Sequence, residues 1–587
     1  MMLNFEIKDE FMINGKPFKF YSGAVHYFRI APSQWEFTLK KMKAAGLNTV
    51  ETYIPWNVHE PIENQFNFSG QYDIERFIKL AQQIGLYVIV RPSPYICAEW
   101  EFGGLPAWLL KYSDMVVRTN TPRFIEKVAK YYHELFKRLV PLQFTHGGPI
   151  LMMQVENEYG SFGNDKSYLR TIEKLMKTNG VDVPLFTSDG SWEQALSAGS
   201  LIEDDVLVTA NFGSHVKENL SALKKFLEKH HKNWPLMCME FWDGWFNRWN
   251  EEIIKRDNES FKKDLGDLIN AGASFNLYMF RGGSNWGFFN GCSSRYGKDL
   301  PQITSYDYDA VLHEDGTDNG KYQALCDLLK RKIAVDDTAI KLEILPSVNV
   351  KRQVFLVDVL DELATKVSSN LPQTMENVGS GYGYIFYRTS LEGKYPTEKI
   401  RLVDVGDRID IYLNKEKKTT LYQPNNFEEI DAKLTEKENL LELLVENVGR
   451  VNYSDRLLSP TQSKGIRTGI MVDRHFHYGW DQWGIDLQKV ENVSWNKKSE
   501  NKYGPTLNKF EFTLTKPVNT YIDCSNFGKG VVIVNGHNVG RYWDVGPTQS
   551  LYIPADFFKT GRNSLIVFET TDKYVNKINF IQSRELF

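Results

Sequence analysis

Ile150-Leu-Met-Met-Gln-Val-Glu-Asn-Glu-Tyr-Gly160 opens as a short apolar run and turns acidic toward its C-terminal end. A run of this length, bounded by glycine, reads as a strand buried on both faces and ending in polar groups. A long helical pattern over Arg123–Leu142 precedes it, and the same order recurs outward in both directions. Upstream lie the runs Phe18–Ile30, Asn48–Trp56 and Leu86–Trp100, separated by the helical stretches Trp35–Gly46 and Ile74–Gly85. Downstream lie Pro184–Gly190, Val206–Ser214, Pro235–Trp245 and Ser274–Trp286, with the helical patterns Leu223–Lys232 and Phe261–Ala271 between the later ones. Strands alternating with helices predict a parallel sheet, and the count of eight predicts its closure into an α/β fold of the (β/α)8 TIM barrel type. Gly46, Gly85 and Gly180 each follow a helical pattern, where a left-handed C-cap is expected. No GxGxxG follows the first run, which favours the barrel over an open, doubly wound sheet.

The 587 residues exceed what one hydrophobic core holds. After about residue 345 the helical period fades into short alternating strands separated by Gly, Asn, Pro and charged turns, the pattern of β-sandwich or jelly-roll modules. A weak repeat runs through this part. Tyr384–Thr389, Arg401–Asp404, Ile409–Asn414 and Asn439–Glu446 form one copy; Phe510–Leu514, Thr520–Asp523, Val531–Asn535 and Asn563–Glu569 form the other. Two similar β-domains are therefore expected. The expected division is a barrel over 1–335, a connector over 336–370, a first β-sandwich over 371–480 and a second, jelly-roll domain over 481–587. The run Lys351–Val359 is expected to pair with one of the two β-domains, and the sequence does not say which.

A net charge of −4 argues against a nucleic-acid partner and against an anionic membrane surface. The aromatic share of 13% leans mildly toward carbohydrate, because flat rings stack on the C–H faces of sugars. No stretch approaches the roughly 20 apolar residues of a membrane span, and Met1–Phe20 lacks the basic-then-apolar run of a signal peptide. A cytoplasmic location is expected on that ground. Five widely spaced cysteines, none in a CxxC pair, predict neither a disulfide framework nor a zinc site. His26 and His59 are isolated, and the pair His475 and His477 lies in the β-region, so the histidines are read as structural, with no metal and no cofactor expected.

Chemistry is sought where the strands of such a barrel end. Glu158 closes the fourth run and Glu240 the seventh, roughly opposite each other across the mouth. Cleaving a glycosidic bond takes one carboxylic acid to protonate the leaving oxygen and one carboxylate at the anomeric carbon; in retaining enzymes the two sit about 5–5.5 Å apart. On this reading Glu158 is the acid/base, Glu240 the nucleophile, and Asn157 bonds the sugar 2-hydroxyl. Strand parity does not separate Gln154, Glu156 and Glu158, which share one face. Glu158 lies further toward the open end and follows Asn157, so it is taken as the acid and Glu156 as structural.

Glu51-Thr-Tyr-Ile-Pro-Trp-Asn57, Arg91-Pro-Ser-Pro-Tyr-Ile-Cys-Ala-Glu-Trp-Glu101, Gln154-Val-Glu-Asn-Glu-Tyr-Gly160, Glu240-Phe-Trp-Asp-Gly-Trp245, Thr304-Ser-Tyr-Asp-Tyr-Asp309 and Val534-Asn-Gly-His-Asn-Val-Gly-Arg-Tyr-Trp543 together resemble the family 35 glycoside hydrolases, the β-galactosidases. The motifs span nearly the whole chain, and the resemblance is strongest to compact, unsecreted bacterial members. It implies a catalytic barrel followed by two β-domains, Glu158 as acid/base and Glu240 as nucleophile. It also implies that Tyr53, Cys97, Ala98, Glu99, Asn157, Tyr306 and Tyr308 hold a terminal galactose, and it leads to the expectation of a homodimer. Where animal lysosomal members have Tyr after Glu-Phe, this chain has Trp242. Trp242, Trp245 and Tyr453 are expected to build a subsite for the leaving group that favours galactose β-1,3-linked to an N-acetylhexosamine. A β-glucosidase or exo-β-glucosaminidase on the same barrel is the alternative enzyme. A non-catalytic sugar-binding protein is the alternative class, and it predicts a decayed carboxylate where both are present.

Overall fold

The computed structural model describes residues 4–92, 94–331, 333–393, 397–425, 428–498 and 501–584. Eight parallel strands close into a barrel: β1 (Tyr21–Ala24), β2 (Thr49–Tyr53), β3 (Tyr87–Arg91), β4 (Ile150–Gln154), β5 (Leu185–Gly190), β6 (Leu207–Asn211), β7 (Met237–Trp242) and β8 (Ser274–Tyr278). Each pairs with its sequence neighbours, and β8 returns to β1 through Phe275 opposite Tyr21. All five residues of β2 and of β4 are buried, as an inner parallel sheet with both faces covered requires. The eight runs of the sequence contain these eight strands, and every run except the fifth, which ends with its strand at Gly190, overreaches into the loop beyond.

The helices between them obey their caps. In Ile74–Ile84, Asp73 accepts from the backbone N–H of Arg76 at 2.9 Å, and Gly85 ends the helix at φ 82°, a conformation without cost for a residue lacking Cβ. Gly46 does the same for Trp35–Ala45 at φ 96°. A feature the run pattern did not disclose closes the barrel's other end. Phe5–Ile7, Phe11–Ile13 and Lys16–Phe18 form a small antiparallel sheet. From it and the segment after it, Phe5, Phe11 and Phe20 pack with Ile89, Leu151, Phe186, Leu207 and Met237 at the strand bases.

Beyond the barrel the internal repeat is a repeat of topology. One sheet holds Tyr384–Glu392, Glu438–Glu446, Arg408–Leu413 and Glu416–Tyr422 in that order; another holds Thr506–Leu514, Gly561–Glu569, Lys529–Val534 and His537–Trp543 in the matching order. The connecting strand Arg352–Phe355 pairs with Thr506–Lys509 and so belongs with the second β-domain, although it precedes the first in sequence. Strand Trp480–Ile485, which crosses the expected boundary at 480/481, pairs with Tyr384–Arg388 of the first. Glu446 of the first β-domain accepts from Lys529 and Arg541 of the second, each at 2.7 Å, in a fully buried contact. Among the described residues no helix is long and apolar enough to cross a membrane, and no group of three or more His, Cys, Asp or Glu is placed to hold a metal.

Candidate active site

The C-terminal ends of β2, β3, β4, β6 and β7 converge on one knot of side chains. Glu240, on β7 and 6% exposed, accepts at Oε1 from the Tyr53 hydroxyl and from Arg91 Nη1, both at 2.6 Å, and at Oε2 from the Trp242 indole N–H at 3.1 Å. Arg91 is buried; its Nη2 donates to Asn157 Oδ1 at 2.8 Å, its Nε donates to Gln154, and its guanidinium lies 4.0 Å from the Tyr53 ring centre. Three donors thus fix the Glu240 carboxylate, one of them cationic, and charge-assisted bonds of this kind are the strong ones. Asn157 is similarly committed, its Nδ2 donating to the Ile96 carbonyl at 3.2 Å.

Glu158 sits in a different environment. Its Oε1 accepts from Asn211 Nδ2 at 2.9 Å, and Asn211 stands directly beside Glu240 where β6 pairs with β7. Burial and the neighbouring Glu240 charge push the Glu158 carboxyl up to about 7, against the Asn211 bond and the Arg91 charge. The structure separates Glu158 from Glu156 where strand parity could not. β4 ends at Gln154, and Glu156 and Glu158 take left-handed φ values of 57° and 45°, so strand alternation no longer applies. Glu156 turns away from the mouth and is held by Arg118 through two bonds of 2.9 Å and by the Tyr168 hydroxyl at 3.1 Å. Arg118→Ala strands this carboxylate in the interior, and breaking a buried pair costs about 3–5 kcal/mol. Urea unfolding is expected to show a loss of that size; a midpoint like the wild type's would assign Glu156 a different role.

Cys97, Ala98 and Glu99 form a continuous left-handed turn with φ of 56°, 47° and 47°. Burial pushes the Cys97 thiol up, and its sulfur accepts from Asn452 Nδ2 at 3.4 Å, which suits a spacer better than a nucleophile. Glu99 accepts from the Tyr306 hydroxyl at 2.5 Å, and burial lifts its carboxyl to about 7. Tyr306 lies under Arg29, 3.7 Å from ring centre to guanidinium, and Tyr308 packs edge-on to Tyr278. Asp307, between the two tyrosines, accepts from His313 Nδ1 at 3.1 Å and from Arg584 near the C-terminus. Burial opposes its ionisation, yet Arg584 and His313 outweigh that and hold the carboxyl well below the usual range.

Trp242 and Trp245 meet edge to face, 5.6 Å between ring centres, and line a cavity of about 390 Å³ with Asn211 and Phe212. Tyr453 is not part of that wall. It is 41% exposed and stands near Glu158 and Ser161, on the loop after Arg450, whose guanidinium reaches Glu101 of the barrel at 2.5 Å. Arg91, Glu51 and Asn211 complete the site without having been singled out in the sequence. Glu51 is fully buried 3.9 Å from Arg91, and burial lifts it to about 8. Arg91 and Glu51 are each a charged residue buried within a barrel strand, Arg91 at its C-terminal end and Glu51 at its middle, and each lies in one of the motifs quoted above.

A closed eight-stranded barrel that brings two glutamates, Glu158 and Glu240, to its mouth in different settings fits a glycoside hydrolase. The family model described as "Glycosyl hydrolases family 35" matches residues 10–332, "Beta-galactosidase, first all-beta domain" matches 372–486, and "Beta-galactosidase, galactose-binding domain" matches 505–563. The chain is similar to "Beta-galactosidase-1-like protein 2" of Homo sapiens, 37% identical and covering 96% of this chain and 88% of the relative. It is similar also to "Beta-galactosidase-1-like protein 3" of Mus musculus, 36% identical over 96% and 87%, and to "Beta-galactosidase" of Xanthomonas manihotis, 36% identical over 93% and 90%. The chain belongs to glycosyl hydrolase family 35. Animal and bacterial relatives match it equally well, so the similarity does not single out the bacterial members.

Proposed function

We propose that the chain is a retaining exo-β-galactosidase that removes terminal, non-reducing β-galactose from oligosaccharides, with Glu240 as nucleophile and Glu158 as acid/base. The observation that carries this reading is the unequal setting of the two carboxylates. Glu240 accepts from a guanidinium, a phenol and an indole N–H, which fix its two oxygens in place. Glu158, raised to about 7, keeps its proton on the acidic side of neutral. Glu158 gives that proton to the glycosidic oxygen as Glu240 Oε attacks the anomeric carbon; water, deprotonated by Glu158, then releases the sugar from Glu240. Tyr53, Cys97, Ala98, Glu99, Asn157, Tyr306 and Tyr308 surround the galactose on this reading, Glu99 accepting from adjacent hydroxyls. A panel of nitrophenyl glycosides tests the sugar: the β-galactoside is cleaved, the β-glucoside and N-acetyl-β-glucosaminide are not, and the reverse pattern overturns the assignment.

For the leaving group, Trp242 and Trp245 on one wall, with Tyr453 standing apart from them near Glu158, are proposed to favour β-1,3-linked N-acetylhexosamine. Because Trp242 also donates to Glu240, its removal disturbs the nucleophile for every substrate. Trp245→Ala is the cleaner probe. The expected result is an about three- to tenfold loss of discrimination between β-1,3 and β-1,4 isomers, the size of one aromatic contact; equal losses on all isomers contradict the linkage preference.

A further inference from the structure

Trp192 follows β5 and occupies the N-cap of helix Glu193–Gly199. At 52% exposure it is the one exposed tryptophan among the described residues. Its indole lies against Gly190, where a Cβ would meet the ring at 1.9 Å; the absent side chain makes the room. Ser191 and Asn219 lie beside it, with the Asn219 amide fixed by the Ser214 carbonyl at 2.7 Å. Among the described residues the indole N–H has no protein partner and is free to donate to a ligand hydroxyl.

The same indole lines the cavity that holds Trp242 and Trp245. Asn211, which also lines that cavity, is buried, and its amide bonds Glu158. The acid delivers its proton to the leaving oxygen, so the departing saccharide emerges on this side. At about 390 Å³ the cavity falls in the range of sites that take drug-sized ligands, about 300–1,000 Å³, with room for more than one sugar ring. Trp242 and Trp245 are half-buried whereas Trp192 is exposed, so of the three it is Trp192 that meets what extends into solvent. An exposed aromatic with a free N–H that lines a cleft is suited to stack a pyranose and bond one of its hydroxyls.

We infer that Trp192 is the platform for the second sugar of the leaving group, so that the enzyme prefers galactosides carrying at least two residues behind the terminal galactose. This rests on Glu158 being the acid/base. The test measures kcat and KM of the full chain on nitrophenyl β-galactoside, on a β-galactosyl disaccharide, and on the trisaccharide and tetrasaccharide that extend it. Wild-type enzyme inactive on all four removes the proposed function, and this inference with it. Given turnover, Trp192→Ala is expected to lower the ratio of trisaccharide to disaccharide kcat/KM about three- to tenfold, through KM, while Trp192→Phe keeps most of it. An unchanged ratio in Trp192→Ala overturns the inference, whether all substrates are unaffected or all are slowed equally.

Discussion

Glu240→Gly is expected to lose on the order of 10⁴-fold or more of kcat/KM toward β-galactosides, and sodium azide is expected to restore turnover as the α-galactosyl azide. The missing carboxylate leaves space on the face opposite the leaving group, where azide attacks the anomeric carbon once and inverts it. Glu158 is intact in this variant and still protonates the departing oxygen. Glu158→Ala is expected to give the other anomer. There Glu240 forms the galactosyl-enzyme from a substrate with a good leaving group, and azide displaces it with a second inversion to the β-azide. Exchanged products in the two variants would reverse the roles. The geometry also warns of a side effect. Arg91 loses its nearest counter-charge in Glu240→Gly, with Glu51 at 3.9 Å remaining. Glu240→Gln keeps the shape and one acceptor oxygen while removing the charge, and serves to separate lost folding from lost chemistry.

The barrel was legible in the sequence because each strand is an apolar run buried on both faces, a signal that needs no tertiary knowledge. Its plug was not. Three-residue strands such as Phe11–Ile13 are too short to show a period, and their apolar residues gain meaning only against the strand bases they cover. Glu158 and Glu240 stood out because each closes a run in a distinctive context. Arg91 carried the same strand-end position, but nothing local says that its guanidinium crosses to Glu240 on a strand 149 residues away. The choice between Glu156 and Glu158 shows where pattern reasoning stops. Two left-handed residues beyond Gln154 abolish the alternation on which parity depends, and Arg118, which claims Glu156, comes from a loop 38 residues upstream. Likewise the repeat revealed two β-domains but not that Arg352–Phe355 skips the first to join the second. Local period is written in the chain; the partner across space is not.

The pH dependence of the acid/base follows from its surroundings, with a sign that can be checked twice. Glu158 works as an acid only while protonated, so a pKa lifted to about 7 keeps it competent below neutrality and removes activity as pH rises through that value. Above the limb, kcat/KM is expected to fall about tenfold per pH unit. The Asn211 amide favours the ionised carboxylate, so Asn211→Ala is expected to move this limb to higher pH; a shift downward contradicts the assignment. Glu158→Gln is expected to abolish the limb and cost about 10²- to 10⁴-fold on oligosaccharides, whose leaving groups need the proton. Stability runs the other way. A carboxyl raised from 4.5 in the unfolded chain to about 7 in the fold binds its proton more tightly when folded. Its contribution is complete below 4.5 and is lost as pH rises through 7. At pH 8 the ionised group is held in an unfavourable place that glutamine tolerates. Glu158→Gln should therefore unfold later than wild type at pH 8 by about 1–3 kcal/mol, with the advantage shrinking toward pH 5. A variant that is slower and yet more stable only on the alkaline side is the signature of a buried acid kept for chemistry, and equal stabilities at both pH values would place Glu158 in open solvent instead.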